Sequence, residues 1–140
     1  EIRYREIKGE KVSFLKLRHT VNTYKTSVSE ELFLEYVTKE DKIVGFLRLS
    51  IPKIINPIKE LNGDAIIREI HVYGNALDIG EREAGRTQHI GIGKKLIEEA
   101  EKIARVKGIK KISVISSIGT KPYYRKLGFK NGLLYQNRNI

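Results

Sequence analysis

The 140-residue chain has no cysteine, no methionine and no tryptophan, and only three prolines. Without cysteine it can form no disulfide, offer no thiol nucleophile and hold no thiolate-bound metal or iron–sulfur cluster. Its three histidines, His19, His71 and His89, are scattered with no helical pair at ligand spacing, so no metal site is expected. No apolar run approaches the ~20 residues that a membrane helix needs, and no leader-like pattern opens the chain. The expected setting is therefore cytoplasmic, with no membrane partner. A start at Glu1 with no methionine anywhere is read as a piece of a longer protein.

What is present is 40% hydrophobic and 31% charged, the balance of one globular domain spanning residues 1–140. The net charge of +10 is unevenly placed. Basic and acidic residues cancel up to Glu101, whereas from Lys102 onward there is no Asp or Glu at all. Such an asymmetry points to a polyanionic partner, nucleic acid or a phosphate-rich cofactor, or else to a solvated basic face.

Hydropathy patterning gives the elements. Glu1–Ile7 reads as a short strand, Phe14–Arg18 as strand or helix, and Val21–Ser29 as extended or irregular. Glu31–Val37 and Ile43–Leu49 alternate and read as an antiparallel hairpin. Pro52 and Pro57 mark a break, and Asn62-Gly63-Asp64 a turn. Ala65–Tyr73 reads as a central strand apolar on both faces, with Arg68, Glu69 and His71 embedded in it; such polar groups must be paired or line a cavity. Gly74–Thr87 is a polar loop, long for a compact domain. A short strand at Ile112–Ile115, a helix between Lys121 and Leu127 with Pro122 in its first turn, and a last strand within Phe129–Gln136 complete a mixed sheet with helices packed on it.

The stretch Gln88-His89-Ile90-Gly91-Ile92-Gly93 opens an amphipathic helix predicted from Lys94 to Lys107. Leu96, Ile97, Ala100, Ile103 and Ala104 form its apolar face, and Gly108 supplies the stop. The first amides of a helix lack internal partners and carry partial positive charge, and glycines let an anion approach them closely. Glycines also serve plain loop-to-helix turns. The run lacks the third glycine of a dinucleotide fingerprint and the Gly-Lys-Ser/Thr of a Walker loop.

Taken together, the strand Ile66–Val72, the Gln88-x-x-Gly-x-Gly93 turn, its helix, the strand Lys111–Ser116 and Tyr124-x-x-x-Gly-Phe129 resemble the core of the GNAT acetyltransferase superfamily. The likeness runs from about Glu31 to the C-terminus. The strings Arg68-Glu69-Ile70-His71-Val72-Tyr73-Gly74 and Gly119-Thr120-Lys121-Pro122-Tyr123-Tyr124-Arg125-Lys126-Leu127-Gly128-Phe129 resemble, more narrowly, the acetyltransferase domain of the Elongator catalytic subunit. The N-terminal thirty residues match less clearly.

The resemblance implies an α/β (α+β) GNAT acyl-CoA N-acyltransferase fold, with a mixed, mostly antiparallel central sheet flanked by helices. It implies acetyl-CoA as cofactor and carbon source, and tRNA as partner, carboxymethylated at C5 of its wobble uridine. An iron–sulfur cluster and S-adenosylmethionine are implied only for a radical S-adenosylmethionine domain absent from these residues, which would be a further partner. Self-association is left open. The implied pyrophosphate site is the turn Gln88, His89, Ile90, Gly91, Ile92, Gly93 with Lys94 and Lys95, the N–H groups from Ile90 to Lys95 facing the anion. The pantetheine arm would run along Glu69, Ile70, His71 and Val72. Tyr124 would touch the sulfur and protonate the departing thiolate, with Tyr123 in support. Glu69 and His71 are either a structural pair within the sheet or a base and water-positioning group near the thioester. The basic residues Lys107, Lys110, Lys111, Arg125, Lys126 and Lys130 could meet the CoA 3′-phosphate or tRNA. Two other readings remain: an N-acetyltransferase acting on a protein lysine or small amine, and a CoA- or RNA-binding module without chemistry.

Overall fold

A computed structural model describes residues 2–8, 12–73 and 91–140 of the chain. In order they form α1 (Ile2–Arg5), β1 (Arg18–Lys25), β2 (Ser29–Val37), β3 (Ile43–Pro52), β4 (Ala65–Val72), α2 (Ile92–Val106), β5 (Lys111–Val114), α3 (Lys121–Lys126), β6 (Lys130–Asn131) and β7 (Gln136–Asn139). The seven strands make one sheet in the order β1-β2-β3-β4-β5-β7-β6. Every neighbouring pair is antiparallel except β4 and β5.

The alternation of the hairpin decides which way the sheet faces. Leu34 lies opposite Leu47 and Leu32 opposite Leu49, and all four are buried in the main core. Glu31, Phe33 and Glu35 fall on the other face. α2 packs on the leucine side, mainly over β3 and also over β4 and β2. Its Leu96, Ile97, Ala100 and Ala104 are fully enclosed. Burying one Leu or Ile in full stabilises by roughly 1.5–3 kcal/mol, so this stripe is what docks the helix.

Both longer-range helix stops are made the same way. Gly108 takes a positive φ of 79°, its N–H donates to the Arg105 carbonyl, and the Ile109 N–H donates to the Ala104 carbonyl. After α3, Gly128 at φ 86° donates to the Arg125 carbonyl and Phe129 to that of Tyr124. Each is a Schellman turn, closed by an apolar residue packing back on the last helical turn. The Tyr124 and Phe129 rings meet edge-on at 5.5 Å.

Four expectations change. Residues Ile2–Arg5 are a helical turn instead of a strand, and only Glu6 makes a parallel bridge, to Ile43. The Arg5 guanidinium reaches Glu35 at 3.1 Å and Asp41 at 2.9 Å, so a long-range fork fixes this segment. α2 begins at Ile92, two residues before the apolar periodicity predicts. The last strand is split into β6 and β7 by a turn held from a distance: the Glu60 carboxylate accepts the N–H groups of Leu134 and Tyr135 at 3.0 and 3.2 Å. Finally, β4 is buried only in its first half, and Arg68, Glu69, His71 and Val72 are exposed.

Candidate active site

The change along β4 has a local cause. Ala65, Ile66 and Ile67 pair with Ile112, Ser113 and Val114 of β5, and there the parallel contact stops. On its other edge β4 stays paired with β3, but Arg48 faces Glu69 while Leu49 faces Ile67, so Arg68 is an extra residue. This β-bulge bends the strand away from β5. Among the described residues, Arg68–Val72 therefore have a bare backbone edge toward β5, the open side of a V-shaped notch.

The bulge also resets which residues point where. Ala65 and Ile67 face the α2 core, and after the extra residue Ile70 packs on that same core. Glu69 and His71 turn to the opposite face, each with its own partner. Glu69 pairs with Arg48 at 3.5 Å, and the His71 ring packs on Tyr73 at 4.5 Å and Phe46 at 6.1 Å. They are not paired with one another.

The start of α2 sits over the open end of the notch because two glycines permit close approach. A Cβ on Gly45 would lie 2.8 Å from Ile92 Cγ2, so a side chain there would push the helix off β3. A Cβ on Gly93 would lie 2.6 Å from the Tyr123 hydroxyl and 3.7 Å from Ile70 Cδ1. Gly93 is thus the point at which α2, β4 and α3 meet. Gly91 differs: a Cβ there would find nothing nearer than Lys94 Cβ at 3.8 Å. It is the N-cap residue, no side chain caps the helix, and no acid lies in its first turn. The amides of Gly91, Ile92, Gly93 and Lys94 have no partner inside the helix. The Lys95 amide, expected among the free donors, instead bonds to the Gly91 carbonyl at 3.1 Å, and the Lys95 ammonium lies 5.0 Å from the centre of the Phe14 ring. Gln88, His89, Ile90 and the loop Gly74–Thr87 lie outside the described residues.

The two tyrosines flank this point differently. Tyr123 is half-exposed and carries its hydroxyl to Gly93, and partial burial raises its pKa. Tyr124 is buried, edge-on to Tyr123 at 5.3 Å, and loss of solvent with Tyr123 alongside pushes its hydroxyl up to about 12. At neutral pH it keeps its proton.

Much of the acid-free tail serves the fold. Lys107 pairs with Glu30 at 2.6 Å, Lys111 with buried Asp64 at 3.2 Å, and Arg138 with buried Glu101 at 3.4 Å. Among the described residues no ion pair holds Lys110, Arg125, Lys126 or Lys130. Nor, among them, is there a cluster of three His, Cys, Asp or Glu placed for a metal, or a helix long and apolar enough to cross a membrane. Two site features escaped the sequence reading. Gly45, a glycine inside a strand, is a sign of close backbone approach. The bulge is signalled by adjacent apolar Ile66-Ile67 followed by adjacent polar Arg68-Glu69, a slip in the two-residue period.

Comparison with known proteins agrees with this geometry. The acetyltransferase (GNAT) domain family matches residues 84–139. Elongator complex protein 3 of Danio rerio is 36% identical over 97% of the chain and 27% of its own length. The tRNA uridine(34) acetyltransferase of Dehalococcoides mccartyi is 36% identical over 93% of the chain and 29% of its own. The solved structure of archaeal Methanocaldococcus infernus Elp3, lacking its first 46 residues, superposes with a TM-score of 0.73 at 32% identity, covering 90% of this chain and 30% of that one. The chain thus spans under a third of the length of the relatives it matches.

Proposed function

The chain belongs to the GNAT acetyltransferase domains of the Elongator complex protein 3 family, and from that premise we propose that it binds acetyl-CoA and activates the thioester for modification of a tRNA wobble uridine. One observation carries the reading: a bare strand edge and an uncapped helix start open onto the same notch, joined where Gly93, Ile70 and Tyr123 meet. The open space in front of Gly91 fits a diphosphate, since nothing shields the first amides of α2 and no acid repels an anion there. Gln88, His89 and Ile90 precede that turn and are assigned to the same anion site.

Acetyl-CoA, once bound, supplies the thioester and the acetyl carbon. The chain's residues would bind and orient it. The backbone groups of Ile70 and Val72 would pair with the amide-bearing arm as an added strand, between Glu69 and His71 on the rim. Tyr124 keeps its proton until well above neutral pH and has it to offer to the leaving sulfur. With a pKa of about 12 against about 8.5 for an ordinary thiol, sharing that proton in a hydrogen bond is favoured over complete transfer. Tyr123 sets the ring's position. Carbon transfer to uridine would need a radical S-adenosylmethionine domain with its own cluster, in a cytoplasmic setting, because no cysteine here can hold iron and sulfur.

The test is to supply labelled acetyl-CoA with and without tRNA or an amine and follow the label. Release of free CoA stimulated by tRNA is expected, and Tyr124→Phe should lower that rate by about 10²-fold while acetyl-CoA affinity stays within a few fold. Label appearing on an amine would replace this reading with an N-acetyltransferase. Absence of turnover would leave a binding module.

A further inference from the structure

Two side chains of β7 reach across to α3, the helix that carries Tyr123 and Tyr124. Gln136 and Arg138 stand opposite Val114 and Ile112 of β5, whose side chains belong to the α2 core. Both therefore face the α2 side of the sheet. The buried Gln136 amide donates to the Lys121 carbonyl at 3.4 Å and accepts from Ser116 Oγ at 2.6 Å. It holds the first residue of α3. Arg138 holds the other end. Its Nη1 donates to the Leu127 carbonyl at 2.5 Å, and a Cβ on Gly128 would lie 3.8 Å from Arg138 Cδ, so its stem passes over the closing turn. Its Nε faces the buried carboxylate of Glu101 in α2 at 3.4 Å. One guanidinium thus ties the end of α3 to the middle of α2.

A helix of 6 residues has too few turns to hold its own place, so α3 depends on such ties. The carbonyls that close a helix lack internal partners and carry partial negative charge, which suits a cation. Arginine serves two neighbours at once, because its planar fork presents separate N–H groups to the carbonyl and to the carboxylate; an ammonium is a single point of charge. The placement of the ties matters as much as their chemistry. Glu101 lies about 12 Å along α2 from Gly93, at 1.5 Å per residue. At Gly93 the two helices meet through the Tyr123 hydroxyl, and at Glu101 they are joined through Arg138. A single tie would leave a pivot, whereas two separated ones fix the angle between α2 and α3.

We propose that Arg138 is a positioning residue: braced between Glu101 and the Leu127 carbonyl, it holds the Tyr124 hydroxyl at the sulfur of an acetyl-CoA whose diphosphate sits on α2. The inference rests on the function proposed above. Arg138 itself touches neither cofactor nor substrate. The proton offered to the sulfur remains that of Tyr124.

The experiment measures tRNA-stimulated CoA release and acetyl-CoA affinity for the full chain and for Arg138→Lys, each also in the Tyr124→Phe background. Arg138→Lys keeps a cation facing Glu101, so the fold should stand, but it gives up the bond to Leu127. Release should slow about tenfold with affinity within about twofold, because the diphosphate amides belong to α2 and only the hydroxyl has moved. In the Tyr124→Phe background the same change should cost less than about twofold, since no hydroxyl is left to position. An equal slowing in both backgrounds, or a loss of affinity that matches the loss of rate, would make Arg138 a part of the fold alone and overturn the proposal. An unchanged rate would do the same. Glu101→Gln removes the charge but keeps the shape of the side chain, and it should slow release about threefold with the same dependence on Tyr124. That variant decides the matter if Arg138→Lys fails to fold. No CoA release by the unaltered chain would overturn the function beneath, whereas release that ignores both variants would overturn the brace alone.

Discussion

A methyl group added at Gly93 would collide with the Tyr123 hydroxyl, whereas one added at Gly91 would meet nothing closer than 3.8 Å. Two glycines of one short motif thus stand in different surroundings, Gly93 packed against Tyr123 and Gly91 open on the side where the proposed diphosphate would approach. Gly93→Ala should gain helix propensity of roughly 1 kcal/mol and lose about as much to overpacking, for little net change in stability. It should still displace Tyr123 and slow CoA release. Gly91→Glu should lower acetyl-CoA affinity tenfold or more, read by calorimetry, with the melting temperature nearly unchanged. An unaltered affinity in Gly91→Glu would detach the diphosphate from this helix. Tyr124 has a structural role beside the catalytic one proposed for it. The Tyr-x-x-x-Gly-Phe spacing, read as a catalytic signature, is also what a Schellman turn closed by two aromatic rings requires.

Elements set by their own neighbours in sequence were readable, and those set from afar were not. The β2–β3 hairpin, α2, β5 and α3 follow from period and turn residues. The helical turn Ile2–Arg5 depends on Glu35 and Asp41, and the break between β6 and β7 depends on Glu60, so neither leaves a local trace. The candidate site was legible in its motifs, but not in the bulge that opens the notch. The Glu60 clasp carries its own pH dependence. Hydrogen bonds from the Leu134 amide first, and from Tyr135 and Leu133, hold its carboxyl below the usual range. A depressed carboxylate pKa contributes stability that is complete above the ordinary value near 4.5 and is lost as pH falls through the folded value. The Leu134 and Tyr135 amide signals should therefore titrate together with a midpoint under pH 4.5, and Glu60→Gln should erase that transition. A midpoint at or above 4.5 would rule out the clasp.

At the scale of the molecule, the excess of positive charge resolves into two populations. Lys107, Lys111 and Arg138 tie the tail to acids contributed by earlier elements. Lys110, Arg125, Lys126 and Lys130 are left as the candidate contact with a polyanion. Binding of tRNA should weaken steeply with salt, and replacing Lys126 and Lys130 together by Gln should reduce the logarithmic slope by about 1.5 to 2. Lys107→Gln should leave the slope as it was; a fall equal to that of the double variant would mean that the paired lysines also meet phosphate. The sheet itself is joined across β4 and β5 by three residue pairs, with Asp64 reaching Ser113 and Lys111 at the closed end. Four strands hang on one side of that seam and three on the other. One core already joins the two half-sheets, so a thioester donor lying along the gap would add a rung to a domain that stands without it, and loading should raise the melting temperature without being required for folding.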